Sequence, residues 1–98
     1  MSEVAMWLVA AQIGDVATMR RLVASGENVN QRDECRRTAL HWAANKGHVE
    51  AVEVLVQLNA DKEAKTDDAE SPLHMAARTG EVEVIKVLVQ MGVDKESK

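Results

Sequence analysis

Apolar residues return along this chain in short bursts separated by polar connections. Val16, Met19, Leu22 and Val23 are spaced three and four apart, which places them on one face of a helix. The segment Val82-Glu83-Val84-Ile85-Lys86-Val87-Leu88-Val89 is more ambiguous, since it alternates partly like a strand and is rich in β-branched residues that favour one. Two further bursts, around Ala43-Ala44 and Ala76-Ala77, are built from small residues that let another helix approach closely.

The ambiguity is narrowed by a repeat. Thr38-Ala39-Leu40-His41-Trp42-Ala43-Ala44-Asn45-Lys46-Gly47-His48 overlies Ser71-Pro72-Leu73-His74-Met75-Ala76-Ala77-Arg78-Thr79-Gly80-Glu81 at a lag of about 33 residues. The same lag carries Val54-Leu55-Val56-Gln57 onto Val87-Leu88-Val89-Gln90, and Asp61-Lys62-Glu63 onto Asp94-Lys95-Glu96. One lag earlier, Ala10-Ala11, Gly14, Val16 and Leu22-Val23 fit the template with weaker matching. If the copies share a fold, the second segment of each is a helix, because the first copy has clear helical spacing. The chain then divides into residues 1–32, 33–65 and 66–98, each a helix, a glycine, a second helix and a polar connection. Thr38 and Ser71 are placed to cap the first helices, Pro72 suits a first helical position, and Gly47 tolerates the left-handed turn that ends one.

The motif TALHWAANKGH and its partner SPLHMAARTGE, at this period and followed by a second helix and a polar loop, resemble the ankyrin repeat. The resemblance covers essentially the whole chain. It implies an all-α solenoid of three stacked helix-turn-helix repeats with projecting hairpin-like loops, acting as a non-catalytic protein-protein interaction module. It also implies that a protein partner meets the loop tips and inner helix face at Glu34, Arg36, Arg37, Asn45, Lys46, Asp67, Asp68, Glu70, Arg78 and Thr79, with Cys35 at the same tip. Two departures stand out. Arg36 and Ala69 occupy the place of a customary glycine, where a left-handed backbone costs about 1 kcal/mol and is expected to distort or loosen the tips. Ala39 replaces a customary proline, a mild change in a good helix former.

The two ends differ. Thr18, Arg21 and Ser25 stand where the other copies have Ala51, Val54 and Leu58, or Val84, Val87 and Met91, so the first copy reads as an N-terminal cap. The third shows no such concession. Val82, Ile85, Leu88 and Val89 are therefore expected to leave an apolar end face, either for further repeats of a longer array or for self-association.

Composition removes several functions. The 98 residues carry a net charge of −4, which supplies no basic field for a nucleic-acid backbone or an anionic membrane. The apolar run near Val54 is broken by Glu53 and Gln57 and is far too short to cross a bilayer, and the Met1-Ser2-Glu3-Val4 start is unlike a secretory signal. A cytoplasmic or nuclear location is the expectation, and the single Cys35 agrees with a reducing compartment. His41 and His74 are tempting catalytic residues, yet their recurrence once per repeat points to hydrogen bonding with loop backbone, and no catalytic motif is present. Cys35, His41 and His48 do not complete a metal-ligand set, and Trp7 and Trp42 are too few to build an aromatic cage, so no cofactor is expected. Trp42 and Met75 are expected in the core. The tip charges are basic in the second copy (Arg32, Arg36, Arg37, Lys46) and acidic in the third (Asp67, Asp68, Glu70). They either steer a partner of complementary charge or pair with one another across adjacent tips.

Overall fold

The computed structural model describes the backbone of residues 3–92 and the side chains of residues 6–92. Asp94, Lys95 and Glu96, the last instance of the repeated triplet, lie outside the described residues. Six helices follow one another: α1 (Glu3–Ile13), α2 (Val16–Ala24), α3 (Ala39–Lys46), α4 (Val49–Gln57), α5 (Pro72–Thr79) and α6 (Val82–Gln90), with no strand among the described residues. The β-rich stretch from Val82 is thus helical. Tertiary packing of its Val84 and Leu88 face overrides the local preference.

The helices pair as α1 with α2, α3 with α4 and α5 with α6. Only two residues separate the members of each pair, so they must run antiparallel. Gly14, Gly47 and Gly80 make these turns, all at positive φ. At each turn the next amide reaches back along the first helix, from Asp15 to Ala10 O (2.8 Å), His48 to Ala43 O (3.0 Å) and Glu81 to Ala76 O (2.9 Å). That is the bond pattern by which a left-handed residue satisfies a helix end. At Gly47 a Cβ would also meet the Glu81 carboxylate of the next repeat, a flexible side-chain end that would have to move aside, so the positive φ is the main constraint.

First helices pack in a row, α1 on α3 on α5, and second helices form a parallel row behind them. The shared core holds Trp7, Met19, Leu22, Leu40, Val52, Leu55, Val84 and Leu88, with Ala43, Ala44 and Ala76 where helices approach most closely. Trp7 fills the slot that Leu40 and Leu73 take in the other copies. Its indole nitrogen is buried without a hydrogen-bond partner, a cost of roughly 1–3 kcal/mol set against the large area the ring removes from water.

Each of α3 and α5 starts with a reciprocal cap. The Thr38 hydroxyl accepts from the His41 amide, and His41 Nδ1 accepts from the Thr38 amide (3.1 Å). Ser71 and His74 repeat the arrangement. His41 goes further, since its Nε2 donates to Glu70 O of the next repeat at 2.8 Å. The expectation that these histidines bond loop backbone is met by His41, whose ring also caps its own helix, whereas the bonds of the His74 ring are to its cap residue Ser71.

The loops between pairs form hairpin-like tips. The Arg36 amide bonds Asp33 O and the Asp33 amide bonds Arg37 O, both at 2.9 Å, and Ala69–Thr66 with Thr66–Glu70 repeat the pattern. Arg36 (φ 63°) and Ala69 (φ 60°) adopt the left-handed conformation although neither is glycine. The tips therefore keep a regular geometry at the expense of strain, rather than the distortion the departures from glycine suggest.

One residue of the expected end face is misplaced by the sequence reading. Leu88 is fully buried inside its own repeat, as are its counterparts Leu55 and Leu22, because it lies on the side of α6 turned toward the core. Ile85 and Val89 are half-buried and Val82 is 57% exposed, so these three, not Leu88, belong to the surface.

Two measurements check this account. Ala69→Gly relieves left-handed strain while loosening the unfolded chain, and is expected to raise unfolding free energy by about 0.5–1 kcal/mol in urea titrations. Burial depresses the His41 pKa below its ordinary value, against the pull of the Glu70 carbonyl. A base whose folded pKa is depressed contributes stability that is complete above its unfolded pKa, near 6.5, and is lost as pH falls toward the folded value. Unfolding free energy should therefore decline from pH 7 toward pH 5 in the wild type, and His41→Gln should flatten that decline.

Candidate functional site

The tip of the second repeat is organised by Asp33. Its Oδ1 accepts the amides of Cys35 and Arg37 at 2.9 Å each. Its Oδ2 accepts from Arg37 Nε at 2.9 Å and from Trp42 Nε1 at 3.3 Å. Burial alone would raise the Asp33 pKa, but the two amides and the Arg37 guanidinium outweigh it and hold the carboxyl below its usual range. Arg37 also stacks on Trp42, with its guanidinium carbon 4.3 Å from the ring centroid. Trp42 is consequently half-buried, packed against the core on one face and covered by Arg37 on the other, whereas its counterpart Met75 is fully in the core as expected.

Adjacent tips are fastened together. The Asp67 amide donates to Cys35 O (3.1 Å), and Arg32 Nη1 reaches Lys65 O (2.7 Å) as well as Arg36 O (3.1 Å). Arg36 and Asp67 form a solvent-exposed ion pair at 4.0 Å. The second tip is tied to its own helix by an ion pair between Glu70 and Arg78. Of the described charges on the two tips, only Arg36 and Asp67 pair across the boundary; Arg37 and Glu70 pair within their own repeats, with Asp33 and Arg78. Exposed pairs of this kind add little stability, roughly 0–1 kcal/mol each, but they fix where the charges point.

Of the candidate residues, Glu34, Arg36, Asp67 and Asp68 lie exposed on the joined tips, and Arg37 and Glu70 are half-buried beneath them. Asn45, Lys46, Arg78 and Thr79 lie at the ends of α3 and α5. The Thr79 hydroxyl is turned back onto Met75 O (3.0 Å). Among the described residues, Glu34, Lys46 and Asp68 carry side-chain charge without an ion-pair partner, and Cys35 is an exposed free thiol. Asp33 was not among the candidates; its signal was the four-residue spacing to Arg37 at a polar turn, where a short carboxylate can accept nearby amides, here those of Cys35 and Arg37. Ile13, 64% exposed, was missed as well, although it occupies the helix-end position that the other copies give to Lys46 and Thr79.

Within this geometry, capped first helices, glycine turns and hairpin-like tips recur at one period. A family model described as ankyrin repeats (3 copies) matches residues 7–98. The chain belongs to the ankyrin repeat family. Ankyrin repeats are generally protein-interaction modules and generally non-catalytic. Similar proteins include Ankyrin repeat domain-containing protein 40 of Mus musculus, 41% identical over 58 residues, which are 58% of this chain and 16% of that protein. Ankyrin repeat domain-containing protein 63 of Mus musculus is 51% identical over 51 residues, covering 52% of this chain and 13% of that protein. The mitochondrial liver isoform of glutaminase from Mus musculus is 46% identical over 50 residues, 51% of this chain but only 8% of the glutaminase. The chain spans no more than about a sixth of the length of each of these relatives.

An ankyrin tip held by one carboxylate predicts a localised response. Asp33→Ala removes four accepted hydrogen bonds and should cost about 1–3 kcal/mol in urea unfolding. It should also shift Trp42 emission, because Arg37 is no longer held over the ring.

Proposed function

We propose that this ankyrin repeat segment binds a protein partner through the joined tips and the exposed ends of α3 and α5. The observation that carries the reading is the fastening of the two tips. Cys35–Asp67, Arg32–Lys65 and Arg36–Asp67 hold them in one arrangement before any partner arrives, which lowers the ordering cost of association. The surface then presents Glu34, Lys46 and Asp68 as charges not spent inside the molecule. They supply steering and register, while half-buried Trp42 under Arg37 is an aromatic of the type that anchors interfaces.

A non-catalytic role accords with what the two motif histidines do. His41 and His74 have their Nδ1 atoms engaged by Thr38 and Ser71, and His41 has its second nitrogen on Glu70 O, so neither is poised as a base. The net charge of −4 favours a protein over a nucleic acid or an anionic membrane, and no described helix is long and apolar enough to span a bilayer.

A second reading is assembly through the last repeat. It is favoured by His74 and Ala77, which are exposed although their counterparts His41 and Ala44 are fully buried.

Affinity capture with the wild type and with a Lys46→Glu/Asp68→Lys variant tests the tip reading. The variant leaves the internal ion pairs intact. Its captured partner is expected to fall about tenfold, the loss of roughly 1.4 kcal/mol, while its thermal midpoint is unchanged. Equal recovery of the same partners by both proteins would falsify binding through this surface.

A further inference from the structure

Two histidines of the second repeat reach out of it in opposite directions. His48, in the turn between α3 and α4, lies over Gly14 of the first repeat, where a Cβ would stand 3.0 Å from its ring, and its Nε2 donates to Gln12 O at 2.8 Å. His41, at the start of α3, donates from Nε2 to Glu70 O of the third repeat at 2.8 Å. The second repeat thus grips the first through one imidazole and the third through the other.

The two rings differ in what a second proton does to them. Gln12 O lies in the last turn of α1, and an imidazolium donates to such a carbonyl as readily as the neutral ring does, with the helix dipole in its favour. The charged residues flanking this contact are Asp15, next to Gly14, Lys46 and Glu50, two residues either side of His48, and Glu81, whose carboxylate lies against Gly47. Three of the four are acidic, so the contact tolerates a positive ring.

His41 has no such freedom. Its Nδ1 accepts from the Thr38 amide at 3.1 Å and lies 2.9 Å from the Thr38 hydroxyl, so the ring is the neutral tautomer with its proton on Nε2. A proton on Nδ1 would set one N–H against another inside a fully buried contact. Arg32 also opposes a positive ring, while Asp33 and the carbonyls of Ala64 and Glu70 favour it, and burial outweighs them. The third repeat offers no substitute, since Glu81 stands where His48 stands one repeat earlier, and a carboxylate has no proton to give to the last turn of α3.

We infer that mild acid opens the junction between the second and third repeats while the junction between the first and second holds. α5 packs on α3 and α6 on α4, so this pair detaches without breaking the packing of α3 on α1. The opening separates Asp67 from Cys35 and Arg36 and takes the joined tips apart. Its consequence for binding rests on the tip reading: a partner held across both tips is released as pH falls. The closed ring resists protonation and the opened one titrates near its ordinary value of about 6.5, so opening grows as pH falls below that value.

Hydrogen exchange of the full chain, read as protection factors at about pH 7 and about pH 5, tests it. Amides of α5 and α6 are expected to lose about tenfold in protection relative to those of α1 and α2. His41→Gln, whose amide keeps a donor for Glu70 O without titrating, should abolish the loss, and His48→Gln should leave it in place. If His41→Gln does not fold, the ring nitrogen chemical shifts of His41 in the wild type take its place. A His41 imidazolium in a chain whose α5 and α6 keep their protection overturns the inference. So does a loss that is equal in all the described helices, absent from α5 and α6, unchanged in His41→Gln, or abolished by His48→Gln. None of these readouts involves a partner, so their failure leaves tip binding standing, and failed capture through the tips leaves the junction standing.

Discussion

The imidazole of His41 joins two levels of this structure. One nitrogen closes the cap at the start of α3, and the other crosses to the backbone of the next repeat at Glu70. A short helix of eight residues is marginal by itself, so its start has to be fixed by something. Here the group that fixes it is the group that sets the height of the following tip. Helix formation and stacking are consequently coupled, and both require the neutral ring: a proton on Nδ1 would face the Thr38 amide it now accepts. The full burial of His41 shields this bond from competing water, which is also why its pKa is depressed.

The tips follow from that coupling. Glu70 O takes the histidine from one side, while Thr66 and Glu70 close their own turn and Asp67 bonds Cys35. Once the backbone of one tip is tied to the next, Arg36 and Ala69 are held at positive φ by several bonds at once, and left-handed strain is tolerated because the surroundings over-determine it. Asp33 performs the corresponding work within its tip, and it does so as an ion whose charge is matched by amides and a guanidinium. Tips so braced hold their backbone, and with it the points from which the exposed charges project, in one arrangement.

The repeat, the helix pairs and the capping residues were legible in the amino-acid sequence because each depends on local chemistry: Thr38 and Ser71 before a helix, glycine after it, and a constant lag. The helix at Val82 was legible only through the repeat, since its own residues argue partly for a strand. Contacts between repeats were not legible. That Arg36 would meet Asp67, or that Trp42 would lie under Arg37 instead of wholly in the core, depends on how far one tip is displaced from the next, and no spacing within a single copy encodes that displacement. The face of α6 was misassigned for a related reason. Val82, Ile85, Leu88 and Val89 all fall on the apolar side of that helix, opposite Glu83, Lys86 and Gln90, so the pattern does not say which of the four turns into its own repeat, whereas burial separates Leu88 from the rest.

The polarity of the stack comes from the same geometry. Every repeat offers its successor a back face whose chemistry is set by positions such as Leu40, His41 and Ala44, and receives its predecessor on a front face set by Ala39, Ala43, Ala51 and Val54. Because the two faces differ, the array has a direction, and no rotation about an axis can bring a repeat's back face onto another back face with the same contacts. Substituting Thr18 and Arg21 at the front of the first repeat changes only half of that face, since α1 contributes Met6, Val9 and Ile13 from the other side. The groove between α1 and α2 is therefore polar on its second-helix side, where Asp15, Thr18 and Arg21 line it, and apolar on its first-helix side.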